Sequence, residues 1–266
     1  MLINGAGTMA ILFLKKGRRN EQYIYSYLYL SRFDDFIISL HATGGSMKKN
    51  RPQAKIKDNG LFYYWGPLLF RITLSPEDIQ ALKNICNEAR LEKKDHRKKL
   101  VGIIKEELLI NSEKYTEIVK PYLEKYQMTY QNFHGKKLKH IQTESVWVNY
   151  MKKGESNPPH SHTGCNLSSV LYLEIPPGLK KENEEFIGQG SGPGSIHFMI
   201  AGPQPLYNNA FAFSPKVGDF FIFPWCLTHT VAPFKCKGTR ISVAANFTIS
   251  ATGKDGNLEK IHSGWT

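Results

Sequence analysis

Few of the usual landmarks are present in this sequence. Its four cysteines, Cys86, Cys165, Cys226 and Cys236, form no CxxC pair and are too sparse for a disulfide framework, which points to reduced thiols inside a cell. No apolar run approaches the roughly 18 residues of a membrane span, so a membrane is not an expected partner. The opening "MAILFLKKGRR" makes a poor signal peptide, because its apolar part is short and its basic cluster follows it. No segment repeats. Excess basic charge is also missing where the folding signals lie. Of the formal +12, residues 1–55 contribute half, with nine Lys/Arg against three Asp/Glu, while the remainder carries 26 against 20. Net charge therefore gives no strong nucleic-acid signal. The expected location is cytoplasmic, in the host cytoplasm if the protein is viral.

What is present is a foldable chain. A hydrophobic share of 41% and an aromatic share of 12% are those of a globular protein. Residues 1–46 include "YIYSYLYLSRFDDFIISLH", strand-like in composition but without turn chemistry linking it onward. Met47 then opens "MKKNRPQAK", a plausible start for a cytosolic protein. The expectation is a chain starting near Met47, with 1–46 as an extension that a disordered state would suit; an extra strand or helix is the alternative.

Residues 47–143 read as a strand and a helical layer. "GLFYYWGPLLFRITL" (60–74) is strand-like and broken at Gly66-Pro67. Ser75 predicts a helix cap, with Pro76 at the first position, Glu77 and Asp78 in the first turn, and an apolar face of Ile79, Leu82, Ile85 and Ala89. A second helix is expected over "VGIIKEELLI", and a third from a cap at Ser112, kinked or broken at Pro121. The run "KKDHRKK" (93–99) lacks interleaved aromatics and is best read as a solvated face.

From Glu144 to about residue 250 the period changes to two. "SVWVNYM", "SSVLYLEI", "SIHFMI", "DFFIFP" and "TRISVAANFTI" are short β-rich runs between Gly/Pro turns, the pattern of an antiparallel sandwich or barrel. Residues 178–194 are Gly-rich and polar, and predict a long loop able to act as a lid. Residues 251–266 form a C-terminal tail.

Chemistry concentrates in this half. "PPHSHTGC" places His160 and His162 two residues apart, and imidazole is the commonest protein ligand for iron, zinc and similar ions. A third candidate, His229, follows the apolar strand that ends at Pro224. Eleven residues on, Arg240, Ser242, Ala244 and Asn246 share one face of a strand. A guanidinium beside a hydroxyl suits a carboxylate. Each piece alone is unspecific; the order HxH, then His, then RxS is much less so.

"WVNYMKKGESNPPHSHTGCNLSSVLYLEIP", "PKVGDFFIFPWCLTHTVAPF" and "GTRISVAANF" resemble the 2-oxoglutarate/Fe(II)-dependent oxygenase superfamily, most closely its members from phages and bacteria. The resemblance spans roughly residues 60–250. It implies a mainly β fold, a double-stranded β-helix (jelly roll) with N-terminal flanking helices. It also implies Fe(II) on His160 and His229, and 2-oxoglutarate held by Arg240 and Ser242, with Asn149 and Tyr172 nearby. The reaction it implies is an O2-dependent hydroxylation releasing succinate and CO2.

One position departs from the family pattern. The superfamily generally has H-x-D or H-x-E, and here the acid's place is taken by His162. A third neutral imidazole removes one negative charge from the metal's surroundings. It also weakens the preference for iron, since three histidines and a water make a familiar zinc site. Three alternatives share these residues: a three-His cupin-type metalloenzyme that does not use 2-oxoglutarate, a zinc enzyme on the same scaffold, and a non-catalytic jelly-roll binding module. The substrate, whether protein, nucleotide or small molecule, is not legible, because fold does not select it.

Overall fold

The computed structural model describes residues 66–134, 138–200 and 209–252, together with strand segments at 2–3, 9–11, 28–30, 53–55, 61–63 and 258–260. The chain divides into two units, Met1–Lys49 and Asn50–Thr266. In the first, β1 (Leu2–Ile3), β2 (Met9–Ile11) and β3 (Leu28–Leu30) pair as an antiparallel sheet. The rest of 1–46, where the extension was expected, lies outside the described residues.

The second unit begins with a small antiparallel pair, β4 (Gln53–Lys55) and β5 (Leu61–Tyr63). Then come β6 (Phe70–Thr73), helix α1 (Pro76–Glu92), β7 (Glu107–Leu109) and helix α2 (Ser112–His134). The remaining strands are β8 (His140–Lys152), β9 (Asn157–His160), β10 (Leu167–Glu174), β11 (Ile196–Met199), β12 (Ala210–Phe213), β13 (Asp219–Pro224), β14 (Thr228–Val231), β15 (Thr239–Thr252) and β16 (Leu258–Lys260). A short helix α3 (Leu179–Glu184) follows β10.

Two antiparallel sheets form the jelly roll. The larger has the order β6-β13-β10-β15-β8-β7, with β16 added to β15; the smaller has the order β12-β11-β14-β9. Alternation on the central strands separates two cores. On β8 and β15, Val146, Val148, Tyr150, Val243, Ala245 and Phe247 face the helices and join the core built by Leu82, Ile85, Tyr115, Val119 and Tyr126. The opposite faces of β10 and β13 send Tyr172, Phe221 and Phe223 into a second core, shared with Ile196, Phe198 and Val231 of the smaller sheet. The helices therefore cover one face of the large sheet and leave the other for the site. None of the described helices is long and apolar enough to cross a membrane.

Local signals explain the helices and their exceptions. Ser75 caps α1, its Oγ accepting from Asp78 N at 3.1 Å, and the Tyr122 hydroxyl of α2 donates to Asp78 Oδ2 at 2.5 Å, fastening the two helices. Helix α2 is capped one residue earlier than expected: Asn111 Oδ1 accepts from Lys114 N at 2.9 Å. It also runs unbroken through Pro121, held by the burial of Tyr115, Val119, Tyr122 and Tyr126 against the sheet. The helix expected at "VGIIKEELLI" does not form. Leu108 and Ile110 are buried two residues apart in the helix-facing core, and β7 pairs with β8, because sheet pairing there offers both backbone bonds and burial. The loop expected at 178–194 contains α3, anchored by buried Leu179 and by Glu182, whose carboxylate accepts from Lys235 N and Cys236 N.

Candidate metal centre and cleft

Two rows of side chains meet across the space between the sheets. On the small sheet, β14 places His229 directly opposite His160 of β9 and opposite Phe198 of β11. β9 ends at His160, so His162 reaches the same point by a turn and not along the strand. Its backbone N–H donates to Trp225 O at 3.0 Å. Potential ligand atoms of the three histidines lie within 4.8 Å of one another, and His162 Nε2 is 3.3 Å from His229 Nε2.

The tautomers are set by neighbours. His160 Nδ1 donates to Pro158 O at 2.7 Å and His229 Nδ1 to Leu227 O at 3.0 Å, which leaves both Nε2 lone pairs free. Backbone carbonyls in this role orient metal-binding imidazoles. Asn246 raises the His162 pKa against the effect of burial and accepts from Ser168 Oγ at 2.8 Å. Burial, and then the neighbouring imidazoles, push His162 down to about 4 and His229 down to about 3; burial also lowers His160. All three are neutral at pH 7, the form that binds metals. Two imidazole nitrogens on one ion, each about 2.1 Å away, would sit about 3.0–3.4 Å apart, and the spacing of His162 and His229 fits this.

On the large sheet, Glu107, Asn149, Ser242 and Tyr172 pair in turn across β7, β8, β15 and β10, and so form one row on the inner face. Arg240 lies one step along, opposite Met151. Its side chain is 1% exposed, yet it bonds only neutral atoms, Nη1 to Gly194 O at 3.1 Å and Nη2 to Met151 Sδ at 2.8 Å, with its guanidinium 5.5 Å from the Tyr172 ring centroid. Burial lowers its pKa from 12.5. Arg240 Nε, the Tyr172 hydroxyl and Asn149 Oδ1 are buried without hydrogen-bond partners, while Asn149 Nδ2 donates to Ser242 O at 3.5 Å. Glu107, Asn149, Ser242, Tyr172 and Arg240 line one cleft of about 390 Å³, and so do the three histidines.

Residues 145–246 match a family described as "Putative 2OG-Fe(II) oxygenase". The match covers the strands that carry the histidines and Arg240, and over it this chain is similar to the 2OG-Fe(II) oxygenases, an oxidoreductase family. No curated protein matches the chain. Among solved structures, a Pseudomonas putida prolyl-4-hydroxylase is 14% identical, with 67% of this chain and 91% of that chain covered and a TM-score of 0.46. A collagen prolyl hydroxylase from Paramecium Bursaria Chlorella virus-1, in complex with 2OG, is 17% identical over 67% and 94%, with a TM-score of 0.42. A Trichoplax adhaerens prolyl hydroxylase in complex with a hypoxia inducible factor peptide is 12% identical over 67% and 82%, with a TM-score of 0.46.

The cleft gathers every residue singled out in the sequence: His160, His162, His229, Arg240, Ser242, Asn149 and Tyr172. Sequence reasoning missed Glu107, which was assigned to a helix, and Asn246, seen only as a face partner of Arg240. It also missed Ser168, Phe198 and Phe223, the last two packing against the His229 ring at 6.1 and 4.8 Å. The period-two alternation of "SSVLYLEI" does place Ser168 on the same face as Tyr172, and that signal could have found it.

Proposed function

We propose that the protein is a 2-oxoglutarate- and Fe(II)-dependent dioxygenase that hydroxylates its substrate with O2, releasing succinate and CO2. His160, His162 and His229 would hold the iron, and Arg240 with Ser242 would hold the distal carboxylate of 2-oxoglutarate. The single observation that carries this reading is Arg240: a buried guanidinium without an acidic partner among the described residues, lining the cleft that also holds the histidines. An unpaired buried charge is costly, and a carboxylate meets it bidentately.

Iron and 2-oxoglutarate, when bound, would supply the oxidising chemistry. The chain's own residues supply everything else. Pro158 O and Leu227 O fix two imidazoles with Nε2 outward, and Asn246 steadies the third. Tyr172, kept neutral because burial pushes its hydroxyl up to about 12, offers a donor beside Arg240. Asn149 Oδ1 offers an acceptor one strand away. Phe223 lines the cleft on the His229 side, with Phe198 packed against the same ring, and together they exclude water there.

The test is anaerobic: Fe(II) is loaded into the wild type and Arg240→Ala, and 2-oxoglutarate is titrated while the visible charge-transfer band of the chelate is followed. The expected result is a band in the wild type that needs at least about tenfold more 2-oxoglutarate in Arg240→Ala, as losing a charge-assisted pair implies. Iron bound with no band would refute the reading in favour of a three-His enzyme that does not use 2-oxoglutarate. Zinc retained in preference to iron would refute it in favour of hydrolytic or binding chemistry.

A further inference from the structure

Glu107 lies in the same row as Ser242 but two strands away, about 10 Å at the usual strand spacing. It is 2% exposed, lines the cleft, and its Oε2 has no hydrogen-bond partner. Two further orphaned acceptors share this wall, Asn149 Oδ1 and Asn157 Oδ1. Gly102 lets them converge: a Cβ there would come within 2.2 Å of Asn157 Oδ1 and 3.0 Å of Glu107 Oε1. Neighbouring charges are already engaged elsewhere. Arg97 is paired with Asp95 at 2.6 Å, and Glu155 accepts from the backbone of Lys105 and Lys152. Lys99 also lines the cleft, but it is exposed and its charge is screened by water.

The cleft is therefore bipolar. A buried cation without an acidic partner, Arg240, stands at one end, and at the other stands a buried carboxylate among acceptor oxygens. Buried polar groups are ordinarily satisfied, so a wall that carries three unmatched acceptor oxygens calls for a partner rich in donors. We propose that the Glu107–Asn149–Asn157 wall is the substrate pocket, and that it selects a substrate presenting a cationic nitrogen, an ammonium or guanidinium group. The word substrate rests on the oxygenase reading; the preference for a cation does not.

The test uses small probes on the metal-free, full-length chain. n-Butylguanidinium, n-butylammonium and neutral n-butylurea are titrated while the backbone amide NMR signals of Gly102 and Asn149 are followed. The expected result is saturable shifts with the two cations and binding of butylurea weaker by about tenfold or more, the usual gap between charge-assisted and neutral hydrogen bonds. Glu107→Gln, which keeps the side-chain shape, should erase that preference, with its fold checked by thermal melting. Equal binding of urea and guanidinium, no shift with any probe, or an unchanged preference in Glu107→Gln would overturn the proposal. The anaerobic chelate band, read on wild type, separates the two readings. Cation selectivity without the band leaves the pocket assigned and sinks the oxygenase reading; the band without selectivity does the reverse.

Discussion

Replacing Arg240 by Met should make the cosubstrate-free protein more stable and the cosubstrate-bound protein less so. Arg240 is 1% exposed and its hydrogen bonds go only to a carbonyl and a thioether. The effective cost of burying an unpaired ion is several kcal/mol after relaxation. A hydrogen bond from a charged donor returns about 1.5–3 kcal/mol, and the Tyr172 face returns about 1. The net penalty carried by wild type is then about 1–2 kcal/mol, and Met fills most of the same volume without it. In a domain of this size each kcal/mol is worth roughly 2–4 °C in Tm. Adding 2-oxoglutarate at 100 times its Kd stabilises the wild type by about 2.7 kcal/mol, and should do little for Arg240→Met. The order of stabilities should therefore reverse. Urea denaturation of Fe(II)-loaded protein without oxygen, with and without 2-oxoglutarate, measures this. An Arg240→Met protein weaker than wild type without 2-oxoglutarate would mean that the guanidinium is satisfied as it stands, and the argument from its missing partner would fail.

Glu107 predicts a pH signature. Burial, reinforced by the charge of Glu155, pushes its carboxyl from 4.5 up to about 7. Between those values the folded state keeps a proton that the unfolded state has lost, so wild-type stability falls as pH rises through that window. At 1.36 kcal/mol per pH unit the full effect is about 3 kcal/mol, reduced to about 1–2 by cleft water. Glu107→Gln should match wild type near pH 4 and exceed it by that amount at pH 8; parallel stability–pH curves would contradict this. Asn246→Ala should lower Fe(II) affinity about 10–100-fold by freeing the His162 ring, read by competition with a chelator, and unchanged affinity would remove Asn246 from the site. Leu171, fully buried in the helix-facing core, should cost about 2–5 kcal/mol as Leu171→Ala, seen as a fall in the urea midpoint with the slope unchanged. Asn111→Ala should cost about 1 kcal/mol as a lost α2 cap, whereas Ser112→Ala should cost much less; the opposite ranking would restore Ser112 as the cap.

The alternation of apolar and polar residues along β8, β10, β13 and β15 determined, without any structure, which side chains would share a face. Period two is a local property, and "RISVAANF" places Arg240 and Ser242 together whatever lies around them. The helix at 76–92 was equally legible, because its cap, its proline and its apolar face are written within a few residues of one another. The three histidines were legible as candidates by residue type and order. Their meeting at one point followed from that reading, but the route did not: His162 arrives through a turn held by Trp225 O and not along the strand. Glu107 shows the same limit more sharply. "KEELLI" suits a helix by local propensity, and only the open edge of β8 makes it a strand, turning a carboxylate that would have been solvated into one buried in the cleft. Register between strands distant in sequence decides which faces confront each other, and no local pattern encodes it. That is why the row Glu107–Asn149–Ser242–Tyr172, with Arg240 beside it, belongs to the tertiary structure alone.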